Sequence, residues 1–239
     1  MLEAVTFDFW NTLFREPPGA PASRLRVERM AVVMREFGCE IESSTLLAEL
    51  RRCWEYATNL QYYQGLDFRP EEHVRKFMAD LGLPDSPELE AKLYRAYTEV
   101  LLDAPPLMVE GALEVIVRLA EKYLVGLICN TGATPGSVLR QIMARAGLLP
   151  YFSTLTFSNE VYIAKPNPAI FQLTLDKLGV VAARSIHIGD DPISDIAGAL
   201  SAGMRAIWVK RPGAVEEEGK ISQQVERVQS LTEILNLIG

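Results

Sequence analysis

Four stretches of this 239-residue chain place polar groups where an apolar run stops. Asp8 stops the run that opens at Leu2, Leu2-Glu3-Ala4-Val5-Thr6-Phe7, and Cys129 closes the run from Leu124, with Asn130-Thr131 just beyond it. Lys165 lies in the loop after Thr154-Leu155-Thr156-Phe157, and Asp190, Asp191 and Asp195 follow Ser185-Ile186-His187-Ile188. Carboxylates gathered in one place repel unless a cation joins them. A hard divalent ion with oxygen ligands, Mg²⁺, is the economical partner. With Mg²⁺ and Lys165 present, such a site suits a dianionic phosphoryl group. Asp8 can attack phosphorus in line, the lysine and metal neutralise charge, and Cys129-Asn130 supplies donors to phosphate oxygens. Asp191, just before Pro192, reads equally as a helix N-cap. Cys129 is a poor candidate for a nucleophile, because its own stretch supplies no base.

These groups converge only if the runs that carry them are neighbouring strands. The runs are β-branched and aromatic, of strand length, and alternate with helical periodicity. Helices are expected at about 109–123, 135–146, 168–178 and 192–202, with a last strand at Ala206-Ile207-Trp208-Val209. Alternating strands and helices imply a doubly wound parallel α/β sheet with helices on both faces, and ligands bind beyond the carboxyl ends of its strands. Period-2 alternation from the first strand sets Thr6, Asp8 and Trp10 on one side, so Trp10 is expected to share the space of Asp8. A capping box, Ser230 with Glu233, opens a final helix.

Between residues 22 and 103 the pattern is helical throughout. Met30, Val33, Met34 and Phe37 share a face, as do Leu47, Leu50, Trp54 and Ala57, then Val74, Phe77, Met78 and Leu81, then Leu89, Leu93, Ala96 and Val100. Ser86 with Pro87 marks the start of the fourth helix. Proline-rich joints bound the block, at Pro17-Pro18-Gly19-Ala20-Pro21 and Ala104-Pro105-Pro106. An inserted helical bundle, residues 17–105, in a core made of residues 1–16 and 106–239 is the expected organisation, with the joints as hinges.

A net charge of −7 argues against nucleic acid as partner. No apolar run is long enough for a membrane span, and Glu3 and Asp8 interrupt any leader-like start. Three cysteines without metal-ligand spacing suggest reduced thiols in a cytoplasmic protein. The run Glu216-Glu217-Glu218 reads as a solvated loop. The aromatics Trp54, Tyr56, Tyr62, Tyr63, Phe68, Tyr94 and Tyr97 are expected mostly in the bundle core, Arg24, Arg26 and Arg29 in solvent, His73 on the surface, and His187 packed and hydrogen-bonded inside its strand.

Taken in order, the motifs resemble those of the haloacid dehalogenase superfamily, in the subclass with a helical cap inserted after the first motif. Asp8-Phe9-Trp10-Asn11-Thr12-Leu13 resembles the first motif, Ile128-Cys129-Asn130 the second, Lys165-Pro166 the third, and Gly189-Asp190-Asp191-Pro192-Ile193-Ser194-Asp195 the fourth. The resemblance implies that Asp8 is the nucleophile, that Asp8, Asp190 and the backbone carbonyl of Trp10 bind Mg²⁺ with Asp195 in support, and that Cys129, Asn130, Thr131 and Lys165 serve the substrate. A small phosphorylated molecule is the implied substrate; oligomeric state is left open.

Two positions depart from the family pattern. Family phosphatases carry an acid two residues after the nucleophile, where this chain has Trp10, and usually serine or threonine where it has Cys129. Without the acid, leaving groups that need little protonation are expected to be favoured. Three readings follow: phosphate monoester hydrolysis through an aspartyl-phosphate on Asp8; hydrolysis of a 2-haloacid, whose halide needs no proton and whose enzymes often carry an aromatic residue at that position; and a slow or non-catalytic phosphate-binding protein. The acidic fourth motif favours the first.

Overall fold

A computed structural model describes residues 1–19, 22–210 and 225–238. The acidic run Glu216-Glu217-Glu218 and part of the first proline-rich joint lie outside the described residues. The strands are β1 (Ala4–Phe7), β2 (Phe14–Arg15), β3 (Leu107–Met108), β4 (Leu124–Cys129), β5 (Thr154–Phe157), β6 (Ser185–Gly189), β7 (Arg205–Val209) and β8 (Glu226–Val228). The α-helices are α1 (Ala22–Glu36), α2 (Ser43–Asn59), α3 (Pro70–Asp80), α4 (Pro87–Thr98), α5 (Val100–Asp103), α6 (Ala112–Ala120), α7 (Gly136–Arg145), α8 (Ser158–Val161), α9 (Pro168–Leu178), α10 (Gly198–Ser201) and α11 (Ile234–Ile238).

Six strands form one parallel sheet in the order β5-β4-β1-β6-β7-β8. The chain steps outward from β1 through β4 to β5, then crosses to β6 on the other side of β1. That reversal opens a crevice at the carboxyl end of β1, where open α/β sheets bind ligands. Phe7 pairs with Leu127 on one side and Ile188 on the other, so Asp8 emerges between the ends of β4 and β6. Alternation divides the strand residues between the two faces. Val125, Leu127 and Cys129 pack with Val115, Ile116 and Leu119 of α6 on one face. Ile128 packs with Ile170, Phe171 and Leu175 of α9 on the other.

Helices α1 to α4 pack around their own buried cluster of Met30, Met34, Leu50, Phe77, Leu93 and their neighbours. Ser86 caps α4 by accepting from the Leu89 N–H, as its sequence signature requires. The joints to the sheet are tied by a short antiparallel ribbon, β2 against β3. Two residues per strand leave no alternation to read, so the sequence gives no sign of it. No described helix is long and apolar enough to cross a membrane. The three cysteines are free thiols.

Several burial assignments in the bundle, of core and of surface, are corrected. Of its seven singled-out aromatics only Tyr97 is buried; Tyr63 is 84% exposed and Tyr56 50%. Arg26 is buried rather than solvated, and so is His73, stacked on the Phe68 ring at 3.8 Å. Burial, with the Arg26 charge nearby, pulls the His73 pKa down to about 3. His73 is therefore neutral in the fold at pH values where the unfolded chain protonates it. Its contribution to stability is complete above the unfolded pKa of ~6.5 and is lost as pH falls toward the folded value, with a slope approaching ~1.4 kcal/mol per pH unit. His73→Phe will flatten the acid limb of stability, measured as urea midpoints from pH 7 to 4. The buried His187, whose pKa is also lowered by burial, keeps part of that limb in both proteins. Parallel limbs would refute the assignment.

Candidate active site

Lys165 is the centre of the site. It is 1% exposed, and its Nζ lies 2.6 Å from Asp8 Oδ1 and 2.6 Å from Asp195 Oδ1. A buried ammonium held between two buried carboxylates is stable only as a tightly paired set. Burial alone would lower the lysine pKa, but Asp195 and Asp8 outweigh it and hold the group charged. Burial would raise Asp195, yet Lys165 and a hydrogen bond from His187 keep it ionised. Asp8 takes the opposite course: burial, helped by the charges of Asp195 and Asp190, lifts its carboxyl well above the usual carboxylate range despite Lys165. The three aspartates can each present a ligand oxygen with all three within 4.8 Å of one another. One lysine for three carboxylates leaves the cluster short of positive charge. An all-oxygen, anionic donor set of this kind fits a hard divalent cation.

The scaffold around the cluster is specific. Asn130 spends its side-chain amide on the Lys165 backbone, donating to the carbonyl at 2.9 Å and accepting from the N–H at 2.9 Å. It thereby fixes the lysine rather than reaching into open space. His187 Nε2 lies 3.2 Å from Asp195 Oδ1 and its Nδ1 lies 2.9 Å from Thr6 Oγ1. If Nε2–H donates to the carboxylate, Nδ1 accepts from the threonine hydroxyl, and the pair locks Asp195 to the middle of the sheet. Asp195 Oδ2 accepts the Asp191 N–H at 2.9 Å. Gly189 is required here, because a Cβ would stand 2.2 Å from Asp195 Cγ. Trp208 Nε1 donates to the Asp190 carbonyl at 2.9 Å. Asp191 serves as the N-cap anticipated for it, accepting from Ile193 N and Ser194 N, and it also receives the Tyr62 hydroxyl from the helical block.

The second motif is placed differently for each of its residues. Cys129 is fully buried, and burial pushes its thiol pKa well up; its Sγ makes only a weak contact, 3.6 Å, to the Asn130 carbonyl. Thr131 donates its N–H to Ser158 Oγ at 3.0 Å, while its own hydroxyl is buried without a hydrogen-bond partner. Ser158 in turn donates to the buried Asp67 of the helical block at 2.5 Å, and Gln61 donates to the same carboxylate at 3.1 Å. Residues Asp67, Ser158 and Tyr62 carry no sequence signal for these contacts; they meet only through the packing of the block on the sheet.

Trp10 is not placed by strand alternation, because β1 ends at Phe7 and Asn11 turns the chain with φ 59°. Its ring meets Phe9 edge-on at 4.9 Å and walls a pocket of about 410 Å³ between sheet and helical block. Asn130, Thr131, Arg26, Trp54 and Gln61 line the same pocket.

The haloacid dehalogenase-like hydrolase model matches residues 2–203, and the chain belongs to that family of hydrolases. It is 35% identical over 121 residues to a phosphoserine phosphatase of Thermus thermophilus, a match that spans 51% of this chain and 47%, about half, of that protein. It is 30% identical over 220 residues to a glyceraldehyde 3-phosphate phosphatase of Methanopyrus kandleri, spanning 88% of this chain and 85% of that protein. Among solved structures, a 2-haloacid dehalogenase from Pseudomonas syringae superposes with a TM-score of 0.73 at 24% identity, covering 100% of this chain and 98% of that one; this likeness is one of fold.

Proposed function

We propose that the protein is a Mg²⁺-dependent hydrolase of phosphate monoesters, acting through an aspartyl-phosphate on Asp8. The observation that carries the reading is the Lys165 ammonium set between Asp8 and Asp195 beside Asp190, a cluster still short of positive charge. Asp8, Asp190 and the Trp10 carbonyl would hold the ion, with Asp195 in support, and the residues on helices α1 to α5 would act as a cap over residues 1–16 and 106–239. A bound Mg²⁺ would supply charge neutralisation to a phosphoryl group.

The steps performed by the chain itself follow from the geometry. Lys165 holds Asp8 Oδ1, which leaves the other carboxylate oxygen to attack phosphorus. A P–O bond forms to Asp8 as the P–O bond to the leaving group breaks, and the leaving oxygen departs with the electron pair. Lys165 stabilises the charge on the transferring group and Asn130 holds the lysine in place. The buried, unpartnered Thr131 hydroxyl is a donor available to a phosphate oxygen, a role that the Cys129 thiol fills poorly. Water then attacks phosphorus as the P–O bond to Asp8 breaks, which restores the carboxylate, and the proton lost by the water passes to the departed leaving oxygen or to solvent. The relatives named as phosphatases act, by their names, on small phosphorylated molecules, which supports the same class of substrate here.

Carbon–halogen hydrolysis is the second reading, favoured by Trp10, because displacement of halide requires no acid. Phosphate release from p-nitrophenyl phosphate, with Mg²⁺ and with chelator, set against halide release from 2-chloropropionate at equal enzyme loading, separates the two. Metal-dependent phosphate release is the expected result. Halide release without phosphate release would transfer the nucleophile to carbon. Neither product, with a stable stoichiometric phospho-aspartate, would mark a binding protein.

A further inference from the structure

Arg26 is a buried cation with no ion-pair partner among the described residues. It projects from α1 and is 3% exposed. Its Nε donates to the Tyr97 carbonyl at 2.9 Å and its Nη2 to Thr134 Oγ1 at 3.0 Å, both neutral acceptors. The guanidinium carbon stands 5.7 Å from the ring centroids of Trp54 and of Tyr97. Its neighbours on the same helix, Arg24 and Arg29, pair with Glu28 and Asp103, but no described carboxylate lies within ion-pair distance of Arg26. Glu16 acts on it only from a distance and is exposed. Taking an ion out of water is costly unless an opposite charge meets it, and two neutral hydrogen bonds offset part of that cost. The remaining donors lie along the outer edge of the fork, Nη1 and the second hydrogen of Nη2. Arg26 forms part of the wall of the pocket that Trp10, Asn130 and Thr131 also line.

We infer that the missing counter-charge arrives with the substrate: Arg26 binds a carboxylate on the leaving-group side, so that the preferred substrates are phosphate monoesters whose alcohol carries a carboxylate. The free edge of one guanidinium matches one planar carboxylate in a bidentate pair. A second phosphate fits less well, because the lining offers it no second cation: apart from Arg26 and the acidic Glu16 it is neutral. Recognition of the alcohol portion is thereby separate from the Lys165 cluster, and the two anionic ends of the substrate are read by different parts of the molecule. The inference rests on the phosphatase reading for the identity of the other end.

Binding of non-hydrolysable analogues tests it without turnover. Calorimetry with 3-phosphonopropionate and with propylphosphonate, in Mg²⁺ buffer, compares ligands that differ by one carboxylate. The protein is expected to bind the carboxylate-bearing analogue at least ~10-fold more tightly, although its net charge of −7 acts against the more anionic ligand. Arg26→Gln is expected to bring the ratio to about one, and Arg26→Lys, which keeps the charge but not the fork, to retain part of it. Equal affinity of the wild type for the two analogues overturns the inference even if no variant folds, and so does a ratio unchanged in Arg26→Gln. A kept ratio without phosphate release would strike the phosphatase reading and leave the carboxylate site standing; phosphate release without any carboxylate preference would do the reverse.

Discussion

Asp8→Asn will abolish phosphate release from p-nitrophenyl phosphate while leaving the protein folded. The amide is too weak a nucleophile to attack phosphorus, so the rate should fall by ~10⁴-fold or more. The fold should survive for a reason visible in the cluster. Burial and the charges of Asp195 and Asp190 disfavour the ionised form of Asp8. Replacing it with a neutral group of the same shape removes that repulsion, keeps an oxygen to accept from Lys165, and leaves the lysine ion-paired with Asp195. Thermal melts of the metal-free variant should match or exceed those of the wild type. Mg²⁺ should stabilise the variant less than the wild type, because one anionic ligand is gone. Retained turnover would move the nucleophile elsewhere; a large loss of stability would mean that the charge on Asp8, and not only its shape, holds the sheet edge together.

What could be read from the sequence divides along a physical line. The strands that lead to Asp8, Cys129, Lys165 and the Asp190 loop are short runs rich in apolar and β-branched residues, and β4 and β5 have the bounds expected for theirs, Leu124–Cys129 and Thr154–Phe157. Parallel pairing then brings the polar groups to one edge without further information. Side chains whose environment is made by two distant segments were harder to place. Tyr62 reaching Asp191, or Asp67 reaching Ser158, depends on how the helical block sits on the sheet, which no local pattern encodes. Arg26 and His73 are different, because a signal existed. Ala22, Arg26, Met30 and Met34 recur every four residues, and Pro70, His73, Val74 and Phe77 fall at i, i+3, i+4 and i+7. Both polar residues lie within the buried stripe of their helices, and residue type outweighed periodicity in assigning them to solvent. A polar residue on an apolar stripe calls for a partner, and in Arg26 the search for that partner leads to the substrate.

If Asp8 is the nucleophile proposed above, Trp10→Asp should broaden the protein's choice of leaving group. An aryl oxide leaves phosphorus readily; an alkoxide must be protonated as it leaves. A carboxylic acid two residues beyond the nucleophile would give that proton and then accept one from the attacking water. Positioned acid–base catalysis of this kind contributes ~10²–10⁴ in rate, so kcat for an alkyl phosphate should rise by ~10²-fold or more while that for p-nitrophenyl phosphate changes far less. The aryl-to-alkyl ratio is the informative quantity, since it cancels errors in active-enzyme concentration. Removing the ring costs packing against Phe9, whose own ring is stacked on Phe14 at 4.6 Å. The loss is bounded because Trp10 is only partly buried and already faces the pocket. The new carboxylate also adds charge beside Asp8, which should make the variant more dependent on Mg²⁺ for stability. An unchanged ratio in a folded variant would show that another group already protonates the leaving oxygen. Tyr62 is then the residue to replace next, because its hydroxyl is delivered by the helical block to Asp191 at the edge of the acidic cluster.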